Sequence, residues 1–259
     1  VSDSDLAPVA LVTGGGRGLG RQLVAAFAAA GYRVVACGRN EPVEGIDGEF
    51  FVCDVRDPVQ VAVLVTSIEE RFGRLDIAVN NAGGTPYASA DTMSPRLFER
   101  VVALNLLAPF YVAQHANRVM QAQPDGGVIV NIGSTAARRP APNSAPYVAA
   151  KSGLSGLTRA LAVEWAPKVR VVQVTPGLLR TELLTETYGT DVEGVQATVP
   201  VGRFASGDEV AAACLALCGP GMGYVTGAEL VVDGGGEIPA WLLAVREEPA
   251  PQAGTGRGA

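Results

Sequence analysis

The chain has 259 residues, of which 48% are hydrophobic and 18% charged, and it carries a net charge of −6. That is apolar material for one large α/β domain or two small ones. An acidic chain with no basic block lacks the electrostatic footprint of a nucleic-acid binder, and no uncharged apolar run reaches the roughly 18 residues of a membrane span.

Residues 1–8 are short and acidic and read as neither a secretory signal nor a transit segment. Residues 8–14 are a run of small and branched apolar side chains ending at glycine, which predicts a buried strand. Thr-Gly-Gly-Gly-Arg-Gly-Leu-Gly follows at 13–20 and leads into a helical pattern through Ala30. Strand, glycine turn and helix together present backbone N–H groups and a helix N-terminus to a pyrophosphate. Gly14, Gly18 and Gly20 let the backbone approach such a ligand, although ordinary tight turns also use glycine. Gly31 ends the helix, and residues 32–37 are a second strand.

Just past that strand, an NAD-selective site places a carboxylate on the ribose 2′-hydroxyl. Here the chain has Gly38, Arg39 and Asn40, the nearest acid is Glu41, and Arg17 lies in the glycine turn. Two guanidinium groups near the adenosine ribose suit a 2′-phosphate, so NADP(H) is expected ahead of NAD(H). The alternative is a pair of solvated surface arginines.

Residues 50–54 form a third strand. Asp54 at its end is placed either to accept from an adenine amino group or to cap the next helix, whose first turn carries Asp57 and Pro58. That helix runs to about Phe72 and stops at Gly73. A fourth strand spans 75–84 and ends in Asn-Asn-Ala-Gly at 80–83, small enough for a cofactor to lie against. Ser94 and Pro95 open a long helix to about Met120. Asn105 interrupts its apolar pattern, and Pro109 frees the Asn105 carbonyl, which either holds a water or marks a simple kink.

The fifth strand ends at Ser134, where strand meets loop. Tyr147 and Lys151 are four apart at the start of the next helix, so both side chains lie on one face. A free phenol has a pKa of about 10. An ammonium about 5 Å away, at an effective dielectric of roughly 20, favours the phenolate by about 3 kcal/mol, or about two pKa units. That shift makes Tyr147 a usable general acid/base near neutral pH. Taken alone, the pair reads equally as a helix-start tyrosine and a solvated lysine.

A sixth strand at 168–177 ends in Pro176 and Gly177, with Thr181 four residues on. Residues 178–203 are polar and irregular, which suits a substrate lid or a plain surface excursion. A helix at 207–218 and a strand at 228–236 complete the pattern. Alternating strands and helices with short links argue a parallel, doubly wound sheet. No repeat or linker divides residues 1–236, which read as one domain. Residues 237–259 are a C-terminal extension, of tail composition beyond Trp241 and expected to be poorly ordered. Cys37, Cys53, Cys214 and Cys218 fall on apolar segments without metal-ligand spacing and read as reduced core thiols of a cytoplasmic protein. His115, the single histidine, reads as structural, so no metal site is expected.

With these pieces in order, residues 8–236 closely resemble the short-chain dehydrogenase/reductase family. The resemblance rests on the glycine turn at 13–20, Asn-Asn-Ala-Gly at 80–83, Asn105, Ser134, Tyr-Val-Ala-Ala-Lys at 147–151, Pro-Gly at 176–177 and Val-Asp-Gly-Gly at 232–235. It implies a single Rossmann-type domain with a seven-stranded parallel sheet and a catalytic tetrad of Asn105, Ser134, Tyr147 and Lys151. Tyr147 would pass the proton, Ser134 would hold the substrate oxygen, and Lys151 would lower the tyrosine pKa and bind the nicotinamide ribose. Asn105 would anchor a water. The cofactor site it implies comprises Thr13, Gly14, Gly16, Arg17, Gly18, Leu19, Gly20, Arg39, Asp54, Val55, Asn81, Ala82, Gly83, Asn105, Tyr147, Lys151, Pro176, Gly177 and Thr181. It also implies a homotetramer or homodimer packed through the helices around 94–120 and 147–166.

The expected activity is interconversion of a ketone and a secondary alcohol with NADP(H). A 3-oxoacyl thioester is the first substrate candidate and a steroid-type or other cyclic ketone the second. Arg138 and Arg139 beside the site would attract an anionic thioester, or be solvated surface. Two rivals stand: an NAD-dependent alcohol dehydrogenase of the same family, and a dinucleotide-binding sensor that catalyses nothing.

Overall fold

A computed structural model describes residues 7–180 and 191–239. Seven strands form one all-parallel sheet: β1 (Val9–Thr13), β2 (Arg33–Gly38), β3 (Glu49–Val52), β4 (Ile77–Asn80), β5 (Gly127–Ile132), β6 (Val169–Pro176) and β7 (Glu229–Val232). Their spatial order is β3-β2-β1-β4-β5-β6-β7. The helices are α1 (Gly18–Ala29), α2 (Pro58–Phe72), α3 (Pro95–Val102), α4 (Ala108–Ala122), α5 (Ala145–Trp165), α6 (Val192–Ala197) and α7 (Gly207–Cys218). This is the doubly wound, Rossmann-type sheet expected from the alternation of elements.

The strands are buried on both faces because their side chains alternate. Val9 and Leu11 of β1 join Val35, Ala78 and Ile129 against α2, α4 and α5. Ala10 and Val12 join Ala36, Val79 and Val130 against α1 and α7. A parallel sheet covered on both faces leaves its strand ends as the place for chemistry. Several strands are shorter than their apolar runs. β3 stops at Val52, with Cys53 N making a last bond to Gly38 O (2.8 Å), so Asp54 lies past the strand rather than at its end.

The segment read as one helix from 94 to about 120 is three elements. Between α3 and α4 the chain makes a wide π turn over Ala103–Leu107, closed by a bond from Ala108 N to Ala103 O. Pro109 explains it: proline has no N–H and crowds the carbonyl four residues back, and widening the turn relieves that clash. The capping role left open for Asp54 belongs to Asp57, whose side chain accepts from Val59 N and Gln60 N at the start of α2. Gly73 closes α2 in the left-handed conformation, as its position predicts.

Within 178–203, α6 is capped by Asp191. Thr181 and the middle of the expected lid, residues 181–190, lie outside the described residues. So does the tail from 240 on, but the extension's first residues belong to the folded body, since Ile238 N donates to Thr198 O at 2.6 Å. Among the described residues no helix is long and apolar enough to cross a membrane. The four cysteines are free thiols, and burial pushes Cys214 and Cys218 up from the ordinary thiol range.

Candidate active site

Between β1 and β4 the winding of the sheet reverses, and the crevice at the strand ends there is where open α/β sheets take ligands. Thr13 locks this crevice. Its Oγ1 donates to Val79 O (3.3 Å) and accepts from Asn81 N and Ala82 N (both 3.0 Å). Asn81 Nδ2 donates to Thr13 O at 2.9 Å. Gly14 follows at φ +67°, and a Cβ there would lie 3.0 Å from Ala82 Cα, so only glycine lets the turn pass this close to residues 81–83. Gly14 N and Gly15 N donate to Cys37 O, tying the turn to β2 (2.7 and 3.2 Å). Gly16 backs onto Phe50, and Leu19 packs toward the α1 core. No side chain caps α1, whose first turn begins at Gly18 and includes Gly20, so its leading N–H groups remain open to an anion.

Arg17 lies in this turn and Arg39 just past β2, and both are exposed. Asp54 is held by a residue that sequence reasoning passed over. Arg56 Nε reaches Asp54 Oδ1 at 2.9 Å and Nη2 reaches Oδ2 at 2.5 Å, while Arg56 N donates to Oδ1 at 3.1 Å. These hydrogen bonds hold the Asp54 carboxyl below its usual range, and Arg39 adds to the effect. The signal was available as an arginine two residues after the aspartate. Val55, the next residue, is buried.

Asn105 is fully buried on the π turn, and its side chain is committed. Oδ1 accepts from Gly84 N (3.0 Å), and Nδ2 donates to Gly84 O and Val101 O (both 2.9 Å). This clamps the turn after Gly83. A Cβ on Gly83 would lie 2.9 Å from Asn105 Oδ1 and 3.5 Å from Lys151 Nζ, so these groups converge on one glycine.

Lys151 sits on α5 one turn after Tyr147, and its Nζ lies 5.7 Å from the Tyr147 ring centroid. The spacing of four therefore does place them on one face, but the lysine is not solvated. Lys151 is 3% exposed and donates to Ile132 O at 2.7 Å. Burial pushes its ammonium down to about 8. At neutral pH the group still carries its charge, close to the phenol and with little water to screen it.

Ser134 leaves β5 in an extended conformation and caps a single 3₁₀ turn, Thr135–Ala137, accepting from Ala136 N at 3.2 Å. Ser152 Oγ donates to Ala137 O at 3.2 Å and seats this turn against α5. Pro176 and Gly177 end β6 beside β7, with Gly177 N bonded to Val232 O at 2.9 Å. Thus the crevice gathers the glycine turn, residues 81–83, Asn105, Ser134, Tyr147 and Lys151 at the C-terminal edge of the sheet.

Arg138 and Arg139 are neither free nor merely solvated. Arg138 Nη2 pairs with Glu229 Oε2 at 2.6 Å, and Arg139 pairs with Asp233 (2.9 Å) and Glu237 (2.8 Å). Among the described residues no cluster of three or more His, Cys, Asp or Glu is arranged to hold a metal.

The profile of a family described as "Enoyl-(Acyl carrier protein) reductase" matches residues 14–237. The D-threitol dehydrogenase of Mycolicibacterium smegmatis is 35% identical over 239 residues, covering 88% of this chain and 92% of that one. The 3alpha-hydroxysteroid dehydrogenase of Mediterraneibacter gnavus is 35% identical over 241 residues, covering 87% of this chain and 95% of that one. A variant of actinorhodin polyketide ketoreductase, crystallised with NADPH, superposes with a TM-score of 0.83 at 31% identity, covering 89% of this chain and 97% of that one. With its parallel sheet, glycine turn and converging side chains, the chain belongs to the short-chain dehydrogenase/reductase family, whose members bind a nicotinamide dinucleotide and carry out hydride-transfer oxidoreduction.

Proposed function

We propose that this protein interconverts a ketone and a secondary alcohol with NADP(H), with Tyr147 as proton donor and acceptor. The observation that carries the reading is the buried Lys151 ammonium beside the Tyr147 ring. A buried cation next to a phenol stabilises the phenolate more than a solvated one does.

The residues fit the dinucleotide. The uncapped N-terminus of α1 takes the pyrophosphate, and the glycine turn at Gly14 leaves room where a side chain would block it. Asp54, kept ionised by Arg56, accepts from the adenine amino group, with the main chain of Val55 beside it. Arg17 and Arg39 take the ribose 2′-phosphate. Both are exposed, and neither is in an ion pair among the described residues. Pro176 and Gly177 border the nicotinamide end, and Thr181, outside the described residues, is assigned there by its place in the sequence.

A nicotinamide held in this crevice would supply or accept the hydride. Ser134 holds and polarises the substrate oxygen, and Tyr147 gives it a proton in reduction or removes one in oxidation, so that ketone, hydride and proton balance the alcohol. Lys151 favours the phenolate and donates to the nicotinamide ribose hydroxyls. The Asn105 side chain is spent on Gly84 and Val101, so Asn105 acts through its main chain, with a water on its carbonyl refilling the proton route.

An uncharged ketone is the better substrate. The two arginines beside Ser134 are neutralised by three carboxylates, so they offer no free cation to a coenzyme A or carrier-protein thioester. An apolar cavity of about 300 Å³, lined by Met93, Pro95, Phe98, Glu99 and, at the start of α5, Ala145, suits an apolar substrate portion. Exposed Leu107 and Val163, on the π turn and α5, favour a homodimer or homotetramer through those helices.

Tyr147→Phe tests the assignment. Turnover of NADPH with a panel of cyclic ketones, 3-oxo esters and polyols should fall at least about a hundredfold, with NADPH affinity within about threefold of wild type. Undiminished turnover rejects Tyr147 as the proton carrier. Tight NADPH binding with no turnover of any ketone or alcohol by the wild type would favour the sensor reading.

A further inference from the structure

The single 3₁₀ turn capped by Ser134 runs directly into Arg138 and Arg139, whose main-chain N–H groups both donate to Thr135 O at 2.9 Å. Neither arginine has a part in the chemistry above, yet both reach across to the last strand and the turn beyond it. Glu229, which takes Arg138, also accepts from buried Thr175 Oγ1 at 2.7 Å through its other oxygen. Arg139 is bound along two edges of its guanidinium, Nη2 to Asp233 Oδ2 at 2.9 Å and Nε to Glu237 Oε2 at 2.8 Å. A planar fork gripped by two carboxylates has a set orientation, which a flexible point charge would not have.

Those two carboxylates bracket a turn of three consecutive glycines, residues 234–236. Asp233 organises that turn, accepting from Gly235 N at Oδ1 (3.2 Å) and from Gly236 N at its carbonyl (3.1 Å). The turn in its place anchors the strand-side end of the segment after α6. Gly234 O accepts from Val201 N (3.2 Å), and Thr198 O accepts from Ile238 N (2.6 Å). One end of the Arg139 clamp is therefore the turn that presents the Ser134 hydroxyl. The other is the turn that fastens residues 198–201. Exposed ion pairs of this kind add little to stability, so a stabilising role gives no reason for two carboxylates on one guanidinium.

We propose that Arg139 is a positioning residue for Ser134, tying the Ser134 turn to the glycine turn at 234–236 through Asp233 and Glu237. The proposal rests on the reading that Ser134 holds the substrate oxygen. Misplacing a reacting group by about 1 Å costs up to about a hundredfold in rate.

The test is a double-mutant cycle between Ser134→Ala and Arg139→Ala, read as kcat, KM for the ketone and Kd for NADPH. The assay uses NADPH oxidation by the fastest-reduced member of the ketone panel. Arg139→Ala should lower kcat about tenfold and leave the NADPH Kd within about twofold. In the Ser134→Ala background the same change should have almost no further effect, because Arg139 acts through the hydroxyl already lost. Arg139→Lys, a single point charge, should recover less than half of the loss. Should Arg139→Ala not fold, Asp233→Asn combined with Glu237→Gln removes the same clamp and takes its place in the cycle. Additive losses, or a wild-type kcat in the Arg139 variants while Ser134→Ala is slow, overturn the clamp alone. A Ser134→Ala enzyme as fast as wild type overturns the reading of Ser134 instead.

Discussion

Replacing Lys151 by methionine removes a charge that folding buries. Burial pushes the Lys151 ammonium from 10.5 down to about 8, and its Nζ donates to the Ile132 carbonyl. A gap of about 2.5 pH units at about 1.4 kcal/mol each is a cost of about 3 to 4 kcal/mol, carried in full below pH 8. Between pH 8 and 10.5 the unfolded chain keeps a proton that the folded chain has lost, so unfolding takes up a proton and stability rises with pH. The contribution is thus unfavourable at neutral pH and relieved as pH climbs. In the cofactor-free protein, urea unfolding of wild type and Lys151→Met should be compared from pH 7 to 10. Wild type should gain on the variant by about 1 kcal/mol for each pH unit above 8, whatever constant offset the lost bond to Ile132 adds. The variant should also be inactive, so stability and function part company at this residue. Parallel curves across that range would show that Lys151 is not a buried ammonium, and the argument for the phenolate would go with it.

Arg39→Ala should weaken NADPH about tenfold or more, the worth of a charge-assisted bond to phosphate, while NADH affinity measured by fluorescence titration stays within about twofold. Equal weakening of both cofactors would remove the 2′-phosphate argument and favour the NAD-dependent reading. Asn131→Ala strips partners from buried Asn80 and Thr158, which it bonds at 2.9 Å each. It should cost about 3 kcal/mol in denaturant unfolding, and a loss under about 1 kcal/mol would mean that the stranded groups find other partners.

Much of the site was legible because its logic is local. The spacing of Tyr147 and Lys151 is a property of one helical turn, and Asp57, Pro58 and Gly73 mark the ends of α2 without help from elsewhere. Where a residue had several possible partners, pattern alone did not choose between them. Asp54 had two roles open to it until Arg56, two residues on, held its carboxylate, and a continuous helix over 94–120 ignored how Pro109 widens the turn before α4. Arg138 and Arg139 looked like surface charge, because Glu229, Asp233 and Glu237 lie more than ninety positions further along the chain.

The order of residue types by itself determined the alternation of strands and helices, the glycine turn after β1 and the family. Each depends on backbone preferences and side-chain periods within a few residues. Only the folded chain decided that Thr13 locks β1 to residues 81 and 82, that Asn105 spends its amide on Gly84, and that the Lys151 ammonium is buried against Ile132. These contacts join residues that are distant in sequence. They exist because the parallel sheet brings its strand ends to one edge, where each buried polar group must find a partner among whatever the packing has placed there.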